Sequence, residues 1–397
     1  MENSKKNQAV QVSNSYWIKV VAIFFVGWIL MYATRTIFNP VMGVIGEQFG
    51  LSNTQLGLAN SIFFLTYAVG FIVLAISTYF SGLATTFVMF LVIRAIAGIG
   101  QGAYYGPQYA LSTEAIPASK RTIGNAIINS GMAFGTSGGY LLSSKLVLEN
   151  GEHWSKPFFI MAIPTFIVGI LFYTILKEKV IRPGEEAARA AAEEGPQEKI
   201  SLKEIFSNRN LLAAFILCFT SIYANFVIIT WLPQFLIAER GFTGASVGFI
   251  SSLVPWASIP GALIFARLND KTGATKKLVF TLVPLAILSV FAIAFVTNRT
   301  LLISVLILYG LTGKLALDPI MVTFVTKHAP KAALGTTLSA YNFIGMSGSI
   351  LAPYVTGYLA DTAGSMQVGF YLSCVLLVIG LLAFAFLAKD ESKPKLG

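Results

Sequence analysis

The chain alternates between long apolar runs and short polar segments over nearly its whole length. A helix of about 20 apolar residues crosses the hydrocarbon core of a bilayer, so the pattern predicts an all-α membrane protein. One long polar segment, residues 178–207, separates an N-terminal helical bundle, residues 1–177, from a C-terminal helical bundle, residues 208–397. The eleven apolar runs lie near residues 17–45, 55–80, 85–113, 122–146, 157–177, 208–237, 244–266, 278–296, 300–324, 334–360 and 367–388.

The polar segment between the bundles is predicted to be a cytoplasmic linker. Its EEAARAAAEE sequence, residues 185–194, favours an exposed helix. SLKE, residues 201–204, is a capping box that would start a short surface helix leading into the next apolar run.

Composition supports the membrane class. The chain is 55% hydrophobic and 12% charged, with a mean hydropathy of +0.72, whereas soluble domains carry about 25% charged residues. The net charge of +10 does not indicate nucleic-acid binding, because the basic residues outside the linker cluster at alternate helix ends, as in Lys120–Arg121 and Lys276–Lys277. Cys218 and Cys374 lie inside apolar runs and are interpreted as small buried hydrophobes.

The charge pattern also orients the chain. The first 16 residues are polar, and the apolar run from Trp17 is too long for a signal-peptide core, so we interpret it as a retained first helix. We expect a multi-pass protein of the plasma membrane, with both termini in the cytoplasm. We expect it to act as a monomer.

The two bundles repeat each other, but with two different offsets. Gly50, Gly57 and Gly70 match Gly241, Gly248 and Gly261 at an offset of 191 residues. Pro117 and Gly131 match Pro330 and Gly345 at offsets of 213 and 214. The first half therefore lacks 22 or 23 residues between Gly70 and Pro117.

The second half shows what would fill that space. A charged turn, ARLNDKTGATKK at residues 266–277, follows Gly261, whereas residues 48–93 contain no charged residue. An odd number of crossings in the first half would put either the Lys120–Arg121 turn or the N-terminus on the wrong face. We infer that one spanning helix and its cytoplasmic turn are absent here, and that the complete fold has 12 helices, of which about 11 are discernible.

Over essentially its whole length, the sequence resembles the major facilitator superfamily. ARLNDKTGATKK is similar to the family's cytoplasmic motif, with Asp270, Lys271 and Gly273 in the expected places. RAIAGIGQG, residues 94–102, is similar to its fourth-helix motif and places Arg94 as a structural residue. The resemblance implies two pseudo-symmetric six-helix bundles that rock around a central site.

Two related groups within the superfamily are the most similar. They are the anion:cation symporters for carboxylates and the organophosphate:phosphate antiporters. This resemblance rests on QGAYYGPQY (101–109), on APKAALGTTLSAYNFIGMSGSILAPYVTGYLAD (329–361), and on an arginine in the middle of the first helix.

That arginine, Arg35, is the first candidate for substrate binding. It lies about 15 residues into its helix, roughly 22 Å deep, where a guanidinium needs a cavity or a partner. Its planar fork suits a carboxylate or a phosphate; a structural arginine paired with an acid or with carbonyls is the alternative. Organophosphate transporters place a second arginine in the seventh helix, and alignment on ITWLPQF puts Asn225 there, which favours a monoanion with hydroxyl groups.

Lys314 and Asp318 are the candidates for coupling. They are four residues apart and share one face of the tenth apolar run. They form either a self-neutralising pair or a switch in which Asp318 takes up a proton and releases Lys314 for substrate. The symporter group often has an acid in the fourth helix, where this chain has Gln101. Glu114 is the second coupling candidate, although a cytoplasmic ion pair with Lys120 or Arg121 is its alternative role.

Further polar residues lie on helices expected to line the central cavity. Tyrosine offers an apolar body with a hydroxyl, which suits sugar acids, but it also packs in cores. His153 and His328 are predicted loop residues without metal-ligand companions, so no metal and no cofactor are expected. The candidate lining residues are Tyr32, Tyr104, Tyr105, Gln108, Asn129, Tyr341 and Asn342.

The sequence therefore predicts a secondary transporter that moves a small organic anion, a carboxylate or sugar acid, by alternating access with proton symport. An organophosphate antiporter is one alternative. A drug or metabolite efflux pump is another, disfavoured because GTSGG, residues 135–139, lacks the proline of the efflux element. A membrane enzyme or sensor is a different class, and the sequence has neither paired catalytic groups, nor a phosphate-binding loop, nor a soluble domain.

Overall fold

The computed structural model describes residues 10–13, 15–65, 71–117, 120–177, 180–181, 202–330 and 333–389. These residues form α-helices, a short π-helix and two paired strands of two residues each. In chain order the elements are β1 (Val10–Gln11), α1 (Tyr16–Thr36), α2 (Phe38–Phe49), α3 (Asn53–Leu65), α4 (Phe71–Gly82), α5 (Phe87–Ala115), α6 (Arg121–Ser143), the π-helix Ser144–Glu149, α7 (Lys156–Ile175), β2 (Val180–Ile181), α8 (Leu202–Ser207), α9 (Arg209–Arg240), α10 (Ala245–Thr272), α11 (Thr275–Phe295), α12 (Arg299–Thr312), α13 (Lys314–His328), α14 (Leu334–Ala363) and α15 (Gln367–Leu387).

The helices divide into two compact units. Unit 1 contains residues 1–38 and 65–197, and unit 2 contains residues 39–64 and 198–397. Six helical stretches among the described residues are long and apolar enough to cross a membrane by length and composition. They are Tyr16–Phe49, Arg209–Arg240, Ala245–Thr272, Thr275–Phe295, Arg299–His328 and Gln367–Leu387.

In unit 1, glycines allow α6 to pack closely against α1. A methyl group at Gly131 would lie 2.8 Å from Cβ of Trp28, and one at Gly135 or Gly139 would collide with the backbone of α1. These three glycines are four residues apart and form one face of α6. Small residues at this spacing let two membrane helices approach, because van der Waals packing drives their association in lipid.

Two clusters define the opposite ends of unit 1. At one end, the hydroxyl of Tyr16 donates to the carbonyl of Ile175 (3.0 Å) and accepts from the backbone of Lys177 (3.0 Å), so α1 starts where α7 ends. At the other end, the ring of Phe90 lies 5.5 Å from Phe38 and 6.0 Å from Trp154. The end of α1 and the starts of α5 and α7 therefore lie together.

In unit 2, α9 takes the place that α1 has in unit 1. It packs against α14 through Gly345, where a Cβ would lie 2.6 Å from Sγ of Cys218, and through Gly348, next to the carbonyl of Phe219. Gly345 is the repeat partner of Gly131, so the same close approach recurs in both units. The indole of Trp231 donates to the carbonyl of Pro353 (3.1 Å) and fixes the register of α9 on α14.

The helices α2 and α3 come early in the sequence, but residues 39–64 belong to unit 2. The amide of Asn39 donates to the carbonyl of Ile229 (2.9 Å), and Asn60 donates to Thr230 Oγ1 (3.0 Å). The carboxylate of Asp361, in the last turn of α14, accepts the backbone N–H of Asn53 (2.8 Å) and also binds Thr54. Asp361 thus caps the start of α3, where backbone N–H groups have no partner inside the helix.

Within the run 55–80 of the first half, the structure describes α3 up to Leu65 and α4 from Phe71, and residues 66–70 lie outside the described part of the chain. The predicted apolar runs of the second half are confirmed as helices, with one exception. The run 300–324 is interrupted at Gly313, which divides it into α12 and α13. His328, predicted to lie in a loop, is the last residue of α13.

Other predictions concern the linker and the domain limits. The short helix after SLKE is confirmed as α8, while the side chain of Ser201 and the EEAARAAAEE segment lie outside the described residues. The predicted domains 1–177, 178–207 and 208–397 stay a prediction beside the two units defined by contacts. Both cysteines are free and buried.

Candidate functional site

Arg35 is buried near the end of α1, with 3% of its surface exposed. Its guanidinium carbon lies 4.6 Å from the centre of the Tyr32 ring, and the Tyr32 ring is 5.5 Å from that of Trp28. A cation over an aromatic face is held by the ring quadrupole. The half-buried Tyr32 therefore orients Arg35 one turn along the same helix.

Arg94 is the second buried arginine of unit 1. It lies in α5 with 1% of its surface exposed, and its guanidinium carbon is 4.8 Å from the centre of the Phe38 ring. Arg35 is close enough to Arg94 for their charges to repel each other. Both guanidinium groups are thus buried in the same unit, and a guanidinium fork matches the geometry of a carboxylate. We call Tyr32, Arg35 and Arg94 the arginine group.

Contacts from α6 hold α1 in place beneath this group. Thr36 Oγ1 donates to the carbonyl of Thr136 (3.2 Å), and Ser143 Oγ donates to the carbonyl of Ile37 (2.6 Å). Both bonds lie directly after Arg35 along the chain, and the glycine face of α6 fixes the distance between the helices.

The other predicted lining residues of unit 1 lie on α5 and α6. Gln108 is buried and donates to Ser112 Oγ (3.3 Å), while its Oε1 accepts no hydrogen bond from the described residues. Asn129 Oδ1, on the half-buried face of α6, also accepts no hydrogen bond from the described residues. Unsatisfied buried acceptors are rare in folded proteins and suit the hydroxyl groups of a ligand. The side chains of Tyr104, Tyr105, Gln101 and Glu114 lie outside the described residues.

In unit 2, Lys314 and Asp318 form the ion pair that their spacing predicts. Lys314 Nζ lies 2.7 Å from Asp318 Oδ2, and the two side chains are 18% and 36% exposed. The pair follows directly after the helix break at Gly313, where a methyl group would lie 2.7 Å from the carbonyl of Tyr309. In membrane transporters such broken helices occur where backbone lines a cavity or an ion site.

Cys218 and Tyr341 complete a cluster around this pair. Cys218 Sγ contacts the carbonyl of Tyr341 (3.8 Å), and Asp318 acts electrostatically on both residues. The cluster brings together α9, α13 and α14, and we call Cys218, Lys314, Asp318 and Tyr341 the lysine–aspartate group. Asn225 is buried on α9 two turns beyond Cys218. On α14, Asn342, which follows Tyr341 in the chain, is exposed.

The cytoplasmic motif lies apart from both groups, at the end of α10. Asp270 and Lys271 are exposed in its last turns, and Gly273 ends the helix with φ of 61°. A left-handed residue at this place is the usual glycine cap. Thr275 Oγ1 donates to the buried Asn269 (2.9 Å) and ties the turn to α11. These residues shape a turn.

The structural role expected for Arg94 stays a prediction, and Arg94 is buried seven residues into the 29-residue α5. Cys218 is buried, as predicted. Sequence reasoning missed one feature of these groups. The break at Gly313 was not expected, since the hydropathy of the run continues across it.

Comparisons with known proteins agree with this architecture. The family model described as Major Facilitator Superfamily matches residues 66–353 and, in a second match, residues 239–397. The chain is 27% identical to the hexuronate transporter of Bacillus subtilis, with 78% of this chain and 74% of the relative covered. It is 23% identical to the D-galactonate transporter of an Escherichia coli O6:H1 strain, with 80% and 78% covered.

Solved structures are similar in fold. A bacterial homologue of the human lysosomal transporter Spinster, in an inward-facing and unoccupied conformation, matches with a TM-score of 0.79 and 17% identity. The match covers 96% of this chain and 100% of that one.

Proposed function

Because this chain belongs to the Major Facilitator Superfamily, we propose that it is a secondary active transporter of a small organic anion that works by alternating access and proton symport. The superfamily assignment makes it a membrane transporter and not an enzyme. The substrate, the coupling ion and the residues that carry them are the proposal.

The arginine group is the observation that carries the proposal. Arg35 and Arg94 are buried in one unit and place positive charge there, and their charges repel each other. An anion bound to a guanidinium fork would reduce that repulsion and gain charge-assisted hydrogen bonds. The names of the relatives, hexuronate and galactonate transporters, indicate sugar acids among the substrates of similar chains.

The lysine–aspartate group supplies the coupling. While Asp318 is ionised, it neutralises Lys314. Protonation of Asp318 frees the ammonium to attract the anion, so that proton and substrate bind together. Partly exposed ionisable residues inside a membrane helix are the usual proton carriers, and in transporters helix breaks such as the one at Gly313 occur at ion and substrate sites.

The remaining residues have supporting roles in this proposal. Gln108, Asn129, Asn225 and Asn342 supply amide contacts for hydroxyl groups, and the tyrosines Tyr32, Tyr104, Tyr105 and Tyr341 supply amphipathic walls. Glu114 stays a second coupling candidate. We place the protein in the plasma membrane as a monomer with cytoplasmic termini, as the charge pattern predicts.

An organophosphate antiporter is the second candidate, and Arg94 is the observation that favours it. Two guanidinium groups also suit a doubly charged phosphate ester. Asn225, in place of an arginine on α9, favours the carboxylate.

Uptake by purified protein in liposomes tests both candidates. We expect a pH gradient, acidic outside, to drive uptake of D-glucuronate, and Arg35→Lys to reduce it at least tenfold, since lysine keeps the charge but loses the fork. Arg209→Lys, at an exposed position of α9, is the matched control. Exchange of glucose 6-phosphate against phosphate, without sugar-acid uptake, would establish the antiporter instead. Normal uptake by Arg35→Ala would exclude the arginine group as the site.

A further inference from the structure

The first turn of α13, residues 314–318, begins without a capping side chain. Gly313 is its N-cap residue, and glycine has no side-chain oxygen to accept the N–H groups that a helix start leaves without a partner. The carbonyl of Gly313 accepts the backbone N–H groups of Ala316 (3.1 Å) and Leu317 (3.2 Å). At its start, the turn therefore depends on backbone bonds.

A proline limits the backbone bonds at the other end of this turn. Pro319 follows Asp318 directly and lies inside α13. It has no N–H, so the carbonyl of Leu315 cannot form the usual helical bond four residues further on. The turn is thus bounded by a helix break on one side and by a proline on the other.

The helix segments on both sides of this turn are held by neighbouring helices. Before the break, a methyl group at Gly310 would lie 2.6 Å from the carbonyl oxygen of Val254, so α12 packs directly on α10. After the turn, the ring of Phe324 on α13 lies 5.2 Å from the ring of Phe384 on α15. A change of conformation between α12 and the end of α13 is therefore easiest within residues 314–318.

The ion pair spans the same turn from its first residue to its last. Lys314 Nζ lies 2.7 Å from Asp318 Oδ2, and both side chains are partly exposed. Lys314 is the first residue of the helix, where the positive end of the helix dipole disfavours a cation. The carboxylate of Asp318 offsets that charge, and the pair links the two ends of the turn through side chains.

Neighbouring helices also bring titratable side chains to Asp318. The helices α9, α10, α11, α12 and α14 pack against α13. Cys218 on α9 and Tyr341 on α14 lie within electrostatic reach of Asp318, and Tyr309 on α12 lies one turn before the break. Lys314 is the cation in direct contact with Asp318. The charged side chains of α10 and α11 are exposed, except for the half-buried Lys276, and they are Arg267, Asp270, Lys271, Lys276 and Lys277.

We propose that the ion pair closes this turn, and that loss of the charge on Asp318 opens residues 314–318. A neutral Asp318 removes the side-chain link across the turn and leaves an ammonium group at the start of a helix, where the dipole repels it. The opening converts a change of charge into a change of the backbone between α12 and α13. Its role in proton coupling rests on the proposed function, whereas the opening itself does not.

Hydrogen–deuterium exchange tests the opening in purified full-length protein in lipid nanodiscs, without any substrate. We expect Asp318→Asn to speed the exchange of the amides of residues 314–318 at least about twofold, the ratio that corresponds to an i,i+4 ion pair of about 0.5 kcal/mol. Residues 370–380 of α15, measured in the same sample, are the internal control and should exchange as in the wild type.

Two further variants separate the closure of the turn from a general loss of stability. The double variant Lys314→Asp/Asp318→Lys rebuilds the pair in the orientation that the dipole favours, so hydrogen exchange should return to the wild-type rate or below it. Pro319→Ala supplies the N–H that Leu315 lacks, and we expect it to slow hydrogen exchange when it is combined with Asp318→Asn. Pro284→Ala, inside α11, is the matched control and should not slow it.

Two results would overturn the proposal. One is an unchanged rate of hydrogen exchange in Asp318→Asn, and the other is fast exchange that neither the charge reversal nor Pro319→Ala slows. Transport by Asp318→Asn is a separate result. If the turn opens but proton-driven accumulation persists, the proposed coupling fails and the opening stands. If accumulation is lost while hydrogen exchange is unchanged, the coupling stands and the opening is excluded.

Discussion

The helix α5 and the pair α12–α13 occupy equivalent places in the two halves but carry different charges. Each begins behind a side-chain cap, with Thr86 accepting from Met89 and Asn298 accepting from Leu301. At the repeat offset of 213, Lys314 and Asp318 correspond to Gln101 and Tyr105, while Arg94 corresponds to Ile307. The helix α5 is continuous, whereas the pair α12–α13 is broken at Gly313.

In the proposed mechanism, this difference separates the binding of the anion from its coupling to the proton. The arginine group carries permanent positive charge, since guanidinium stays protonated in proteins. The lysine–aspartate group is neutral as a pair and can exchange a proton. In that mechanism, the duplicated halves bind the substrate with one helix and couple it to the proton with the other.

Arg94 gives the largest expected effect. Arg94→Ala removes one of the two forks, and loss of a charged hydrogen bond of about 1.5–3 kcal/mol should raise KM about 10- to 150-fold. Arg94→Lys should recover only part of this, because it lacks the fork. The measurement is KM for uptake in liposomes, with gel filtration to confirm folding. An unchanged KM in Arg94→Ala would leave Arg94 as a structural residue.

Asp318→Asn tests the other side of the comparison. The variant cannot exchange the proton, so proton-driven accumulation should fall to equilibration, while exchange of substrate across the membrane stays within a few-fold of the wild type. Glu204→Gln, on the exposed face of α8, is the control. Accumulation that persists in Asp318→Asn would show that the pair only neutralises itself.

Gly313→Ala removes the difference in backbone between the two helices. A methyl group there meets Tyr309 at 2.7 Å, and overpacking of this kind costs about 1–3 kcal/mol. We expect a lower Tm and weaker accumulation. Gly335→Ala, where a methyl group has open space, should leave both unchanged. If Gly313→Ala and Gly335→Ala have the same Tm and the same accumulation, the helix break at Gly313 is not needed for transport.

Asn225→Ala has the smallest expected effect. Loss of one neutral hydrogen bond, about 0.5–1.5 kcal/mol, should raise KM about 2- to 13-fold for a sugar acid. It should leave uptake of an anion without hydroxyl groups unaffected. Equal effects on both kinds of anion would mean that Asn225 acts through packing.

The sequence predicted the helices of the second half well, since charged residues mark their ends. The run 367–388, for instance, is α15 (Gln367–Leu387). It also predicted the bond between Lys314 and Asp318, because both lie on one helix. It could not predict that the charges of Arg35 and Arg94 act on each other, because the two residues lie on helices far apart in sequence. Hydropathy did not reveal the break at Gly313, since the break does not interrupt the apolar run.

The cap on α3 has a consequence for biosynthesis. The backbone of Asn53 is bonded to Asp361, which is 308 residues further along the chain. At about 5–20 residues per second, ribosomes need roughly 15–60 s to deliver that carboxylate after α3 has been made. The start of α3 must stay hydrated for this time, so α2 and α3 are expected to be among the last elements to reach their final place. Pulse-labelled chains stopped before residue 361 should expose them to protease.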